Sequence, residues 1–232
     1  MSEQQAIHRI NEFCGAKEAR LYALWIRAAA TWPGSEFLFS RIGCASGQGQ
    51  VLDYLAELLY ALVFRYLGFS VKIEPLGRKG PDLEVSRGGL SAVVEVARFR
   101  PMNPGPPEFD GELLAEYGNP ERDVAKSLAK LVGKFGQLHG QLSIIAIWNN
   151  DDALEELEMT IAVRSVASHP DAPASLQFVL FGSAWAPPGR DFHCFPVRVL
   201  AGQVQQWINE LQTVTVSEAV RAIVTASNGG AA

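Results

Sequence analysis

Residues 80–101, GPDLEVSRGGLSAVVEVARFRP, constrain this chain more than any other stretch. Gly88-Gly89 separates two runs in which apolar and polar residues alternate. A two-residue Gly-Gly loop favours a type I′ turn, whose twist matches that of paired strands. With that turn Arg87 pairs with Leu90, and the same register carries Asp82 opposite Glu95 on one face. Their Cβ atoms would then lie roughly 4.5–5.5 Å apart. Leu83, Val85, Val94 and Val96 alternate onto the other face and resist a one-residue slip.

Like charges placed directly opposite destabilise a hairpin, so a metal ion, a shared proton or a basic neighbour is required to compensate. Mg²⁺ suits such a pair, because it takes one or two protein carboxylates and keeps several waters. A third acid is available on the strong helical pattern over 48–67. Asp53 and Glu57 lie four residues apart on one side of it, between Val51, Leu55, Leu58, Leu59 and Leu62. Glu57 reaches the same metal if that helix packs on the sheet; the alternative is that both acids face water.

The rest of the pattern supplies an α/β layer arrangement. Residues 3–31 read as one or two helices broken at TWPGSEF, and strands are expected at 69–75, 82–86 and 90–97. Residues 101–120, PMNPGPPEFDGELLAEYGNP, read as a long loop of the kind that forms lids or binding segments. A helix follows over 121–138, then a buried strand, LSIIAIW (142–148), a helix over 151–168, and a second buried strand, LQFVLFG (176–182). FPVRVL (195–200) reads as an edge strand before a helical end. The expectation is a mixed central sheet flanked by helices. Residues 1–45 form an N-terminal helical addition and residues 46–232 an α/β domain.

Net charge and cysteine usage narrow the function classes. The chain carries a formal charge of -5, so nucleic-acid binding needs a local patch rather than bulk basicity. Such a patch is offered between Arg65 and Arg100, where Arg65, Lys72, Arg78, Lys79, Arg87, Arg98 and Arg100 outnumber the acids. Cys14, Cys44 and Cys194 are scattered, which argues against a disulfide framework or a structural zinc site. The N-terminus lacks the apolar core of a signal peptide, and no stretch reads as a membrane span. A soluble, cytoplasmic protein is the expectation. The histidines are isolated, FGSAW is not a nucleophile elbow, and SGQGQ lacks the lysine of a phosphate-binding loop. Trp185 could stack a base beside APPGRDFH, although a core role is the plainer reading.

A helix with an acid, a strand, Pro81-Asp82, a hairpin, Glu95-Val96-Ala97, a helix and a strand together resemble the PD-(D/E)xK nuclease superfamily, the restriction-endonuclease-like fold. The resemblance covers roughly residues 48–150. It implies that Asp82 and Glu95 hold Mg²⁺ (or Mn²⁺), with Glu57 as the helix acid, and that phosphodiester bonds, in DNA first, are hydrolysed with metal assistance. Homodimer assembly is an expectation from the same source. The family's lysine, two residues past the second acid, is here Ala97. Arg98 points to the other face of a regular strand. A relocated lysine is therefore expected from Lys126 first, then Lys130 and Lys79; Lys134 and Gln137 continue the side that Lys126 and Lys130 begin. A solvated basic helix face is the plainer reading of that row. Without a working lysine, the resemblance implies a catalytically inactive module that binds nucleic acid or protein. An unrelated α/β binding domain with incidental carboxylates is the third reading.

Overall fold

The computed structural model describes residues 3–76, 80–100, 120–138, 140, 142–150, 154, 156–184, 189, 191–200 and 202–229. The expected long loop at 101–120 falls almost wholly outside the described residues, and so do Trp185 and His139. Gly88 and Gly89 take φ values of 62° and 83°, the left-handed pair that a type I′ turn needs. They join β2 (Leu83–Arg87) to β3 (Leu90–Phe99), with Arg87 opposite Leu90 and Leu83 opposite Val94.

β1 (Ser70–Ile73) pairs antiparallel with β2, completing a meander. β3 then runs parallel to β4 (Ser143–Asn149), and β4 parallel to β5 (Leu176–Ser183). β6 (Phe192–Pro196) closes the far edge antiparallel to β5. The sheet order is β1-β2-β3-β4-β5-β6, a mixed α/β sheet as the pattern predicts. The edge strand lies earlier than FPVRVL suggests. Pro196 carries no N–H to continue a ladder, and Val199 beyond it is fully exposed.

Each face of the sheet has its own apolar layer. Val94, Val96, Ile144, Ala146, Phe178 and Leu180 point toward α4 (Gln48–Tyr66). Behind α4 pack α1 (Glu3–Phe13), α2 (Ala16–Ala29), α3 (Ser35–Gly43) and α8 (Val216–Gly229). α7 (Gly202–Leu211) adds Trp207, Ile208 and Leu211 to the same cluster. The alternate residues Ala97, Phe99, Ile145, Ile147, Val179 and Phe181 face the other way, under α5 (Pro120–Val132) and α6 (Glu156–Ala167). Tyr60 of α4 ties the first layer to the sheet, donating its hydroxyl to the Ile147 carbonyl and accepting from the Gly182 N–H. The N-terminal helices are thus continuous with the main core: Trp25, Ile26, Leu38, Phe39 and Ile42 share one cluster with α4 and β1. Among the described residues no helix is long and apolar enough to cross a membrane.

α3 is the element that the sequence pattern passes over. It begins right after Gly34, whose φ of 84° turns the chain, and no side chain caps its start. Gly34 also sits hard against β1. A Cβ there would lie 1.8 Å from the Ile73 carbonyl oxygen, and the Ile73 N–H donates to the Pro33 carbonyl at 2.8 Å. Gly34→Ala combines a left-handed φ with a backbone clash and is expected to cost roughly 3 kcal/mol. Urea denaturation measures this; an unchanged midpoint would show that the α3–β1 junction relaxes freely.

Candidate functional site

The β2–β3 ladder stops at Leu83–Val94, and a side chain continues it. Asp82 accepts the next free N–H of β3, from Val96, on its Oδ2 at 2.8 Å. A backbone N–H needs an acceptor, and here the Asp82 carboxylate stands in for a strand carbonyl. Asp82 also gives its carbonyl to the Glu74 N–H at 2.7 Å. Glu74, at the end of β1, holds an unusual φ of 45°, a strain tolerated where surroundings over-determine the backbone.

Glu95 lies on β3 and is only 1% exposed. Burial, and next the Asp82 carboxylate, push its carboxyl up to about 8, while the nearby Lys134 ammonium opposes the shift. Protonation of one carboxyl is how two facing acids share a site. Lys134 Nζ stands 2.5 Å from Glu95 Oε1. The second oxygen, Oε2, is buried with no hydrogen-bond partner.

Glu57 is buried on α4 and reaches the same neighbourhood. Burial, then Asp82, raise its carboxyl well above the ordinary range, and Arg41 pulls the other way. Arg41 of α3 donates Nη2 to Glu57 Oε2 and pairs through Nε with Glu74 Oε1. Against the cost of burial, Glu57, Glu74 and Asp82 together hold the guanidinium charged. Asp53, one turn before Glu57, lies outside this cluster; Arg98 Nε binds it at 2.9 Å and Arg100 binds its other oxygen.

The lysines fall in places that helix spacing does not suggest. Lys126 and Lys130 place their ammonium groups 5.4 and 6.0 Å from the centre of the Phe99 ring, a cation–π arrangement. Burial, and then Lys134, lower the Lys130 ammonium. α5 ends at Val132, and the Lys134 N–H bonds three residues back to Leu131 before a 3₁₀ turn at Phe135–Gln137. That tightening takes Lys134 out of the Lys126–Lys130 row and onto Glu95. Lys79 lies outside the described residues. Ala97, at the position of the family lysine, is buried with Phe99, Leu131 and Phe135. Of the basic residues expected to form a surface between Arg65 and Arg100, Arg78 and Lys79 lie outside the described residues and four are engaged within the molecule: Arg87 to Glu210 and over Phe69, Arg65 over Trp32, and Arg98 and Arg100 to Asp53.

Sequence pattern alone did not single out Arg41 or Glu74. Arg41 belongs to the unrecognised helix, and Glu74 closes a strand in a stretch with no other acid. Among the described residues no three His, Cys, Asp or Glu side chains converge as a ready metal cage. Arg41 and Lys134 already occupy one oxygen each of Glu57 and Glu95. The pair Asp82 and Glu95, with the orphaned Glu95 Oε2, still matches what Mg²⁺ asks of a protein, namely one or two carboxylates and room for waters. No family model, curated protein or solved structure matches the chain.

A carboxyl with a raised folded pKa binds its proton more tightly in the folded chain than in the unfolded one. The contribution of Glu95 to stability is therefore full below its ordinary value of 4.5, declines as pH rises, and is lost above about 8. Glu95→Gln keeps the shape and removes the titration. Between pH 5 and pH 9 the wild type should lose stability relative to Glu95→Gln, measured by denaturant unfolding at each pH. A difference that stays flat would show that Glu95 is ionised throughout.

Proposed function

We propose that the protein is a metal-dependent phosphodiester hydrolase acting on nucleic acid, DNA first, with its centre at Asp82, Glu95 and Lys134. One observation carries this reading: a carboxylate pair at the β2–β3 junction, with a lysine ammonium 2.5 Å from the second acid and an unpaired buried oxygen beside it. The element order α4-β1-β2-β3-α5-β4, an antiparallel meander followed by a parallel crossover strand, supports the restriction-endonuclease-like assignment.

Charge balance points the same way. Among the described residues, Arg41 and Lys134 are the cations set against Glu57, Asp82 and Glu95. Fully ionised, these three acids exceed the two cations by one negative charge, which favours a further cation beside them. Asp82 and Glu95 would hold that ion. Bound there, it would lower the pKa of a water and stabilise charge on the phosphate oxygens. Lys134 adds a fixed positive charge where the pentacovalent transition state develops negative charge. Arg41 orients Glu57 and keeps that acid engaged beside the pair.

A second reading is favoured by one feature. Lys134 and Arg41 already neutralise two of the acids, so the cluster could be a purely structural charge network in an inactive module that binds nucleic acid or protein. Mn²⁺ titration by calorimetry and supercoiled-plasmid cleavage separate the two. On the hydrolase reading, Asp82→Asn and Glu95→Gln lower the cleavage rate by about 100-fold or more. Lys134→Met lowers it about as far, and Lys126→Met changes it less than threefold. Because the ion displaces the Glu95 proton, apparent Mn²⁺ affinity should climb up to about tenfold per pH unit below 8 and level above it. Carboxylate-dependent Mn²⁺ binding without strand cleavage would leave the inactive module standing; no binding at all would leave only the structural network.

A further inference from the structure

A cavity of about 590 Å³ opens between α2 and α8, over the C-terminal ends of β4 and β5. Ligands in open α/β sheets gather at that end of the parallel strands, and the volume falls in the range of small-molecule sites. A second hollow of about 260 Å³ shares the walls Trp25, Trp148, Ala184 and Val216 and extends toward α4 and Arg98. Three features give the larger cavity a chemical preference. Its walls are apolar and aromatic, with Leu24, Trp25, Trp148, Val220 and Val224. Trp25 is 6% exposed with its indole N–H buried, so it contributes ring surface and no donor to the wall. Arg221 lines the mouth and makes no ion pair among the described residues, although Glu218 lies within its field.

The one acid on the wall is already used: Asp191 Oδ2 accepts the Val216 N–H at 2.7 Å at the start of α8. In the adjoining hollow Arg98 is held by Asp53. What remains on offer is an apolar body site and one cation. We infer that this cavity binds a small amphipathic anion, an apolar ring system with an anionic group at Arg221. The inference uses none of the carboxylate-cluster residues and stands apart from the hydrolase reading.

Two fluorescent probes of similar ring size test it: 8-anilinonaphthalene-1-sulfonate, which is anionic, and N-phenyl-1-naphthylamine, which is neutral. The anionic probe should bind the folded full-length protein saturably at one site. Arg221→Gln should weaken it roughly fivefold and leave the neutral probe within twofold. Val220→Trp should abolish binding of both by filling the cavity. Ser217→Trp, at the exposed lip, does the same without a core change, which covers the case in which Val220→Trp fails to fold. Non-saturable binding, or affinities unchanged by Ser217→Trp, would overturn the site. Equal losses of both probes in Arg221→Gln would overturn the anionic preference.

Discussion

Glu95 lies 1% exposed on an inner strand, where an ionised carboxylate costs several kcal/mol unless neighbours offset it. The surrounding structure can be read as the means of that offset. Lys134 arrives from the segment that roofs one face of the sheet, and Asp82 arrives from the end of β2. Behind Asp82, Arg41 and Glu57 extend the same chain of charges to the opposite layer. Removing either partner of such a buried pair is expected to be worse than replacing both, because the survivor is left without compensation. A cluster of this kind is therefore expensive to keep without a use. That expense is the physical ground for reading it as a site and not as decoration.

The parts come from every layer of the molecule. The tight hairpin fixes Glu95, a side-chain extension of its ladder fixes Asp82, and a 3₁₀ turn beyond α5 fixes Lys134. Arg41 comes from α3, inside the N-terminal helical region. Because α1, α2 and α3 share one apolar cluster with α4, that region is bound into the site's support. Gly34 and β1 transmit the coupling most directly, since Gly34 touches the Ile73 carbonyl and Glu74 follows Ile73.

How much of this was legible in advance depends on how local each cause is. Gly88-Gly89 sets its turn and register through two residues' backbone freedom, and that register holds as far as Leu83 opposite Val94, which brings Asp82 and Glu95 to one end of the hairpin. α4 announces itself by its length and apolar spacing, and Glu57 stands out as an acid within it. Lys134 could be named as a member of the lysine row but not chosen from it. Its direction is set by where α5 gives way, and that depends on Phe135 and Leu138 packing beneath it. Arg41 left no local signal, because α3 starts without a side-chain cap and is stabilised by tertiary packing of Leu38, Phe39 and Ile42. Arg87, Arg98 and Arg100 find acidic partners in Glu210 and Asp53, pairings that sequence spacing does not display.

α4 is the element on which the two candidate sites converge. Glu57 turns toward the carboxylate pair, while Leu52, Leu55, Ala56 and Leu59 of the same helix floor the smaller hollow beside Trp25. Arg98 links them again, lining that hollow and gripping Asp53 and the Gly49 carbonyl at the start of α4. A helix buried on nearly every side shifts as a rigid body or not at all, since packed interiors transmit strain. A ligand that pressed on Trp25 and Trp148 would therefore load the helix that carries Glu57. Such coupling has magnitude only through a difference in affinity between two helix positions.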